Sequence, residues 1–512
     1  MTTYKIGTRG SLLAVTQSTL VKNQLEKISG KKFELVLIKT QGDQITDRPL
    51  WQLEGKDFFT KELDEALLKG EVDLVIHSYK DLGSERPSGI KLAAVTERRF
   101  AHDILLIRKD VIENLKNWQG EFVVGTSSPR RIVNLTRSLA PFIPYANQTN
   151  LKIRCETLRG NVNTRIGKLK NKQYHAITLA LAGIERLAHT EKSAAELQEL
   201  LNGLDYFVLP QSVFPAAASQ GALGIEMREG RDDNGELFSY ISQLAHPVTV
   251  EEVYRERKAF KEYGGGCHLA VGIHVKKVGE NFLHVHSGEV DEKLIEKKWL
   301  EGIEMPKLTS KKLFVGLPQG EGNFVFDQYQ LKSPIKKNID LNHKHVFVTS
   351  RYCTEMLKAS TGKTRGIWAA GTRTAKKLAE AGYWVNGTSD SLGTDDLKAL
   401  KDSRALAMFN NISEPWVVLS HKDATSEIGV VTEAYERKEA DVSEDWIQNL
   451  KEVGACYWTS FPQYEAYLAK FSFLTKAQHF CGLGKTWQEF NRAGIPVTPV
   501  ASMQDFYSLI KE

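Results

Sequence analysis

The sequence predicts a multidomain α/β protein, and three observations carry that expectation. Apolar strands alternate with amphipathic helices through about residue 220, a pattern that implies parallel sheets flanked by helices. After about residue 245 the texture changes to alternating antiparallel strands. From His345 onward a strand–helix theme recurs twice. At 512 residues the chain is too long for one core, and roughly three to five domains are expected.

The elements follow in order. YKIG opens as a strand, and Ser11 suits the cap of a helix whose Leu13, Leu20, Val21, Leu25 and Ile28 share one face. FELVLIKT and VDLVIHS read as strands around the helix FTKELDEALLKG, and EFVVGTS, YHAITLA and GALGIEM as further strands. VTVEEVYRERKAFKEY is a helix, followed by the alternating strands AVGIHVKKV, FLHVHSGEV and KKWLEGI, together a small α+β unit. Residues 317–343 are polar and weakly periodic, as a linker would be.

HVFVTSRYCTEMLK and AAGTRTAKKLAEAGYWV are then echoed by ACYWTSFPQYEAYLAKF and GLGKTWQEFNRAGIPV. Each half reads strand, Thr-Ser, helix, strand, glycine, helix, Ala-Gly. Two similar α/β lobes account for this; chance likeness between strand–turn–helix units is the competing reading.

Composition excludes several classes. Hydrophobic content of 41% and charged content of 26% are ordinary for globular domains, and a net charge of +5 does not argue for nucleic acid. Aromatic residues do not interleave with the arginines as single-strand binding requires. No apolar run approaches the ~18 residues of a membrane span, and MTTYKIGTRG lacks the pattern of a signal peptide. The five cysteines include no C-x-x-C pair, so no disulfide framework, zinc ribbon or other metal site is expected, and free thiols suit a reducing cytoplasm. STGKT and GLGKT lack the leading glycine of a phosphate loop.

Four segments place basic or hydroxyl residues just after strands: GTRGSLLA, HSYKD, GTSSPRR and LRGNVNTR. Ligands of open α/β sheets bind beyond the carboxyl ends of strands, near helix N-termini. In GTSSPRR, Pro129 suits a helix's first turn, and Arg130 and Arg131 offer forked donors for carboxylates. Gly160 is expected to break a helix between Arg159 and Arg165, letting both aim at one point, while Lys168 and Lys170 read as a solvated face. With Arg9 and Lys80 these arginines would line a cationic cleft for a ligand bearing several carboxylates or phosphates. Asp81 is the lone acid among them: it either caps the next turn or moves a proton and holds a cation. Cys267 follows three glycines, which clear side chains from the approach to its thiol.

Taken together, TRGSLLA, GKDFFTKELDEALL, HSYKD, GTSSPRR, LRGNVNTR, PAAASQGALGIE and GGGCHLAVG resemble the hydroxymethylbilane synthase (porphobilinogen deaminase) family over about residues 4–305. The resemblance implies two α/β domains like those of type II periplasmic binding proteins, over residues 1–100 with 214–240 and over 101–213. It also implies an α+β domain at 241–310 whose cysteine carries a dipyrromethane by a thioether bond. Four porphobilinogens then join head to tail with loss of ammonia, and water releases the linear tetrapyrrole. By motif, Cys267 would anchor the cofactor and Asp81 would be the catalytic carboxylate. Ser11, Lys80, Ser128, Arg130 and Arg131 would hold the cofactor; Arg9, Arg159, Arg165 and Gln220 would meet substrate acids. Lys56 and Phe59 would lie on a flap. A monomer is expected, with no nucleic-acid or membrane partner. Tyr79 departs from the family's methionine, Leu82-Gly83 from Val-Pro, Asp57 from a flap glycine and Ala270 from proline; none removes a charged catalytic group.

Residues 345–512, beyond a linker region at 311–344, resemble uroporphyrinogen III synthase through VFVTSRY, WAAGTRTAKKLAEAGYWV, VTEAYER, YWTSFPQYEAYL and GLGKTWQEFNRAGIPV. That family closes the linear tetrapyrrole with inversion of its last ring, using two α/β lobes and no cofactor. Thr349, Ser350, Gly371, Thr372, Thr374, Thr459 and Ser460 would bind substrate and Tyr435 would assist loss of the hydroxyl. The family's opening strand and helix leave only weak traces before His345. A non-catalytic C-terminal domain, and a non-catalytic anion-binding module for the whole chain, are the alternatives.

Overall fold

The computed structural model describes residues 3–40, 60–83, 85–266, 268–308, 312–320, 322, 324–410, 412 and 416–510. Two compact units emerge. One comprises Met1–Val275 with Val285–Glu296 and Leu400–Ile412; the other comprises Lys276–His284 with Lys297–Ala399 and Ser413–Glu512.

The first unit is built on strands β1 (Thr3–Arg9), β2 (Lys32–Ile38), β3 (Leu74–Ser78), β4 (Ile90–Val95), β5 (Asp103–Arg108), β6 (Glu121–Gly125), β7 (Lys152–Glu156), β8 (Ala176–Ala180), β9 (Leu204–Val208) and β10 (Leu223–Arg228). They form two five-stranded sheets, ordered β2-β1-β3-β10-β4 and β7-β6-β8-β5-β9. These are the two α/β domains expected, but the sheets are mixed rather than parallel. β10 runs antiparallel to β3 and β4, and β5 antiparallel to β8 and β9. The reversed strands are those on which the chain enters the second sheet and returns to the first. The continuous burial of β5 and β10 reports that both faces are covered, not strand direction, so this reversal left no trace in the pattern.

Helix Leu12–Ser29 begins where Ser11 Oγ accepts the Ala14 N–H at 3.3 Å and ends at Gly30, with φ 65°. It packs Val21 and Leu25 against Tyr4, Ile6, Phe33 and Leu74. Each such aliphatic side chain contributes about 1.5–3 kcal/mol on full burial.

Helix Pro247–Glu262 leads toward the glycine run. Gly264, Gly265 and Gly266 have φ of 101°, 62° and 93°, a region closed to most side-chain-bearing residues. A Cβ on Gly266 would lie 2.8 Å from the His268 ring. The three glycines are thus required by the backbone path itself. Strands β11 (Ala270–Val278), β12 (Asn281–Val290) and β13 (Lys293–Glu301) follow as one sheet.

Glu256, on that helix, is fully buried. It accepts two hydrogen bonds from Arg98 at 2.7 and 2.9 Å, and backbone N–H groups of Ser219 and Val275 at 2.7 and 2.9 Å. One carboxylate therefore joins the helix before Cys267 to both segments that cross between the two sheets.

In the second unit, residues 311–344 are more than the expected linker. They supply strands β14 (Lys312–Val315), β15 (Val325–Phe326) and β16 (Gln330–Pro334). Strands this short, broken by glycine and lysine, carry too little periodicity to be recognised. The remaining strands are β17 (His345–Val348), β18 (Gly366–Ala369), β19 (Gly387–Thr388), β20 (Trp416–His421), β21 (Gly429–Glu439), β22 (Val453–Trp458), β23 (Gln478–Gly482) and β24 (Thr498–Val500). One lobe has the parallel sheet β15-β14-β22-β23-β24; the other has β16-β21-β20-β17-β18-β19, in which β16 alone runs antiparallel. Leu400–Ile412 belongs to the first unit, although the expected C-terminal domain includes it. There Glu185, itself buried, accepts the Ser403 hydroxyl at 2.6 Å and the Ala405 N–H at 3.1 Å.

Replacing Glu256 with alanine leaves Arg98 with Glu252 and the Val275 carbonyl but strands two buried N–H groups, and is expected to cost about 2–4 kcal/mol. Urea unfolding of the full chain checks this, and a loss below about 1 kcal/mol would remove Glu256 from its structural role.

Candidate active site

A cluster of buried charges lies beyond the end of β6. Thr126, Ser127 and Ser128 lead there into helix Pro129–Ser138, whose first position, proline, has no N–H to satisfy. Ser127 Oγ donates to the Leu158 carbonyl at 2.8 Å and accepts the Leu158 N–H at 3.1 Å. The GTSSPRR and LRGNVNTR loops are therefore fastened to each other.

Arg130 and Arg131, expected to meet ligand acids, both turn to a carboxylate of the protein's own. Asp103, 1% exposed at the start of β5, accepts Arg130 at 2.7 and 3.3 Å and Arg131 at 3.0 and 2.6 Å. Gln220 donates to Asp103 at 2.8 Å and to the Ala101 carbonyl at 2.8 Å. Its carbonyl accepts Arg130 and Lys80, each at 3.3 Å. Burial alone would raise the Asp103 carboxyl, but Arg130 and Arg131 hold it well below the usual carboxylate range.

Two guanidiniums and an ammonium thus surround one carboxylate, and positive charge is left over. Its signature is electrostatic. Burial pushes the Lys80 ammonium down to about 8, with Arg131 and Arg130 adding to the effect and Asp81 and Asp103 opposing it. Burial, with Arg131 and Arg159, brings Arg165 down to about 10, and burial does the same to Arg186. Asp81 opposes the shift in both arginines. Arg131 thus acts on both Lys80 and Arg165, Arg159 acts on Arg165, and exposed Asp81 stands within the field of Lys80, Arg165 and Arg186.

Local structure corrects two details. Arg159 and Gly160 precede helix Val162–Lys170 instead of interrupting it, because Asn161 caps it by accepting the Thr164 N–H at 2.9 Å. Arg165 Nε donates to the Gly160 carbonyl at 2.7 Å. Lys168 and Lys170 are not merely solvated: they donate to the carbonyls of Arg159 and Glu199 at 3.1 Å each. Arg9 ends β1 and Ser11 is engaged as a helix cap. Ser128 precedes Pro129 without capping through its side chain.

Three contributors escaped the sequence reading. Asp103 was detectable, as a lone acid opening the apolar run DILLI. Arg186 was not, since AGIERLAH reads as an ordinary helix; it donates to the Gly221 carbonyl at 2.5 Å. Arg257 lies 4.6 Å above the Tyr79 ring and donates to the carbonyls of Tyr79, Leu82 and Gly83 at 3.3, 3.1 and 2.8 Å. It clamps the turn bearing Asp81 and gives Tyr79, in place of methionine, a cation to stack on. Cys267, Lys56 and Phe59 lie outside the described residues.

In the second unit, Thr349 donates to the Leu419 carbonyl at 2.9 Å, and Ser350 accepts the Tyr352 N–H at 3.4 Å. Tyr435 is buried, its ring 5.6 Å from that of Tyr352, and burial raises its hydroxyl pKa. Thr459 donates through N–H and hydroxyl to Gln463 at 3.0 and 2.8 Å, and Ser460 begins helix Phe461–Lys470. Gly371 and Gly484 begin helices Thr372–Glu380 and Lys485–Arg492. A Cβ on either would strike Ser391, at 2.2 and 2.6 Å, so both helix starts converge there. Thr372 and Thr374 lie in the first turn of the former helix.

Two mixed α/β sheets thus contribute to one buried interior in which cations outnumber the carboxylate that organises them. Residues 4–236 match the family model described as "Porphobilinogen deaminase, dipyromethane cofactor binding domain". The porphobilinogen deaminase of Lachnospira eligens is 38% identical over 274 residues, 53% of this chain and 83% of the relative. That of Gloeobacter violaceus is 36% identical over 276 residues, 54% of this chain and 76% of the relative. Among solved structures, a uroporphyrinogen-III synthetase from Helicobacter pylori is 15% identical, covers 37% of this chain and 91% of its own, and superposes with a TM-score of 0.27. The chain belongs to the porphobilinogen deaminase family, and its cofactor is dipyrromethane.

Asp103 carries the pH prediction. Its carboxyl is depressed in the folded state, so its contribution is fully present above the unfolded carboxylate value and is lost as pH falls below it. Asp103→Asn is expected to cost about 3–5 kcal/mol at neutral pH, a difference that narrows below about pH 4. Urea unfolding of both proteins across pH is the measurement; a difference independent of pH would contradict the pairing.

Proposed function

We propose that the first unit joins four porphobilinogens head to tail with release of ammonia, and that the second closes the product, hydroxymethylbilane, to uroporphyrinogen III. The observation that carries the first activity is the excess of buried cations over Asp103. Each pyrrole of the growing chain bears an acetate and a propionate, and a site that retains uncompensated guanidinium charge suits them.

Cys267 is the anchor in this reading. Three positive-φ glycines, and so no side chain, separate Tyr263 from Cys267 in the chain. A non-catalytic anion-binding module has no use for that arrangement. Bound there by a thioether, dipyrromethane supplies the primer for chain growth. Lys80, Arg130, Arg131, Ser11 and Ser128 hold its acids, while Arg9, Arg159, Arg165 and the newly found Arg186 receive those of incoming substrate; Gln220, whose amide is spent on Ala101, Asp103, Arg130 and Lys80, positions these groups instead of meeting substrate. Asp81 accepts the pyrrole N–H of porphobilinogen and offsets the cation that develops as ammonia leaves. The turn that bears it is held by Arg257.

For the second activity the support is the pairing of lobes, each with a Thr-Ser turn and a glycine-started helix, around Ser391. Backbone N–H groups at those helix starts suit carboxylates, and Tyr435 donates its proton to the departing hydroxyl.

Asp81→Asn is expected to keep the Cys267 adduct in intact-mass measurement while turnover falls by on the order of a hundredfold or more. Turnover near the parent rate would remove Asp81 from the mechanism. Incubation with porphobilinogen followed by oxidation is expected to yield the type III uroporphyrin isomer. Type I alone would mean that the second unit does not cyclise.

A further inference from the structure

The second unit contains a cation cluster that neither resemblance assigns. β16 and β21 pair antiparallel with Lys332 directly opposite Arg437. Directly opposed residues share a face of the sheet, about 4.5–5.5 Å apart at Cβ, and like charges in that arrangement destabilise the pair. Tyr435 lies two residues from Arg437 and so on the same face.

Tyr352 closes the cluster from outside the ladder. Lys332 Nζ is 4.9 Å from its ring centroid and the Arg351 guanidinium 5.2 Å; Arg351 also donates to the Tyr352 hydroxyl at 3.3 Å. Among the described residues, no carboxylate forms an ion pair with Lys332, Arg351 or Arg437. The nearby acids are committed elsewhere. Glu436 pairs with Lys438 at 2.8 Å, and Asp327 accepts Tyr467 at 2.5 Å and Gln463 at 2.6 Å. Arg437 Nε is buried with no hydrogen-bond partner among the described residues. Burial brings the Lys332 ammonium down to about 8, with Arg437 and Arg351 adding to the effect against Asp327.

Three cations beside two tyrosine rings, one pair facing across a ladder, form a costly arrangement in the absence of an anion. We infer that Lys332, Arg437 and Arg351 are a carboxylate-binding site of the second unit, and that Tyr352 and Tyr435 receive the pyrrole ring that carries the acid. The inference rests on the reading of this unit as one that takes a linear tetrapyrrole. It deepens that reading, because the Thr-Ser and glycine turns offer only neutral donors, whereas each pyrrole brings two acids. Cations on the strands between the lobes would fix which end of the substrate meets Tyr435.

The test uses the full chain and uroporphyrin, a porphyrin polycarboxylate, followed by quenching of tryptophan fluorescence. The Lys332→Met, Arg437→Met double variant is expected to bind uroporphyrin about tenfold or more weakly, and Lys332→Arg to stay near the parent. Ammonia release from porphobilinogen, a function of the first unit, should be unchanged in both. Because the substitution relieves facing like charges, the melting temperature of the ligand-free double variant should hold or rise; a fall would assign the cations a structural role and overturn the proposal. Equal uroporphyrin affinity in parent and variant would also overturn it. The two readings separate cleanly. Weakened binding with only type I isomer from the parent keeps the site and removes the cyclase; type III isomer with unchanged binding keeps the cyclase and removes the site.

Discussion

Asp103 binds two guanidiniums with one carboxylate, and the first unit is organised around that imbalance. The acid pre-orients Arg130 and Arg131 without cancelling their charge, and through Gln220 it also sets Lys80. A symmetric pairing would leave the interior neutral and of little use to a ligand carrying many acids. Unpaired arginines would pay full desolvation with nothing to fix their direction. One carboxylate among several cations avoids both outcomes. It also joins the two sheets, since Asp103 opens the strand entering the second while Gln220 lies on the return to the first.

A second constraint ties the glycine segment to the turn that bears Asp81. Helix Pro247–Glu262 carries Glu256, buried against Arg98 and both crossing segments, and Arg257, clamped on the turn that bears Asp81. The same helix ends in the glycines before Cys267. Adjacent residues on one helix therefore tie the glycine segment to the turn bearing Asp81, the carboxylate proposed to be catalytic. The exposed turn bearing Asp81 is fixed through backbone carbonyls gripped from a helix, as the proposed role of Asp81 would need.

Most of the fold was legible because most strands and helices carry clean periodicity: β1, β3, β6, β8, β10 and helix Leu12–Ser29 lie where their apolar residues put them. Strand direction was not legible, since β5 and β10 read identically either way, and β14–β16 were too short and polar to register. Of the site, the motif residues after strands could be named, but which residues they pair with could not. Asp103 is distant in sequence from the arginines it binds, and Arg186 and Arg257 look like surface charges on helices. Lys332 and Arg437 were invisible for a similar reason: only the β16–β21 register brings them opposite one another.

The claim on which the rest depends is that the basic interior serves a chain tethered at Cys267. Peptide mapping by mass spectrometry after exposure to limiting porphobilinogen tests it most directly. The peptide containing Cys267 is expected to carry the dipyrromethane mass and, above it, a ladder of increments each equal to one porphobilinogen less ammonia. An unmodified Cys267 peptide, or the same ladder on a different residue, would contradict the anchor and with it the assignment of the cationic cleft.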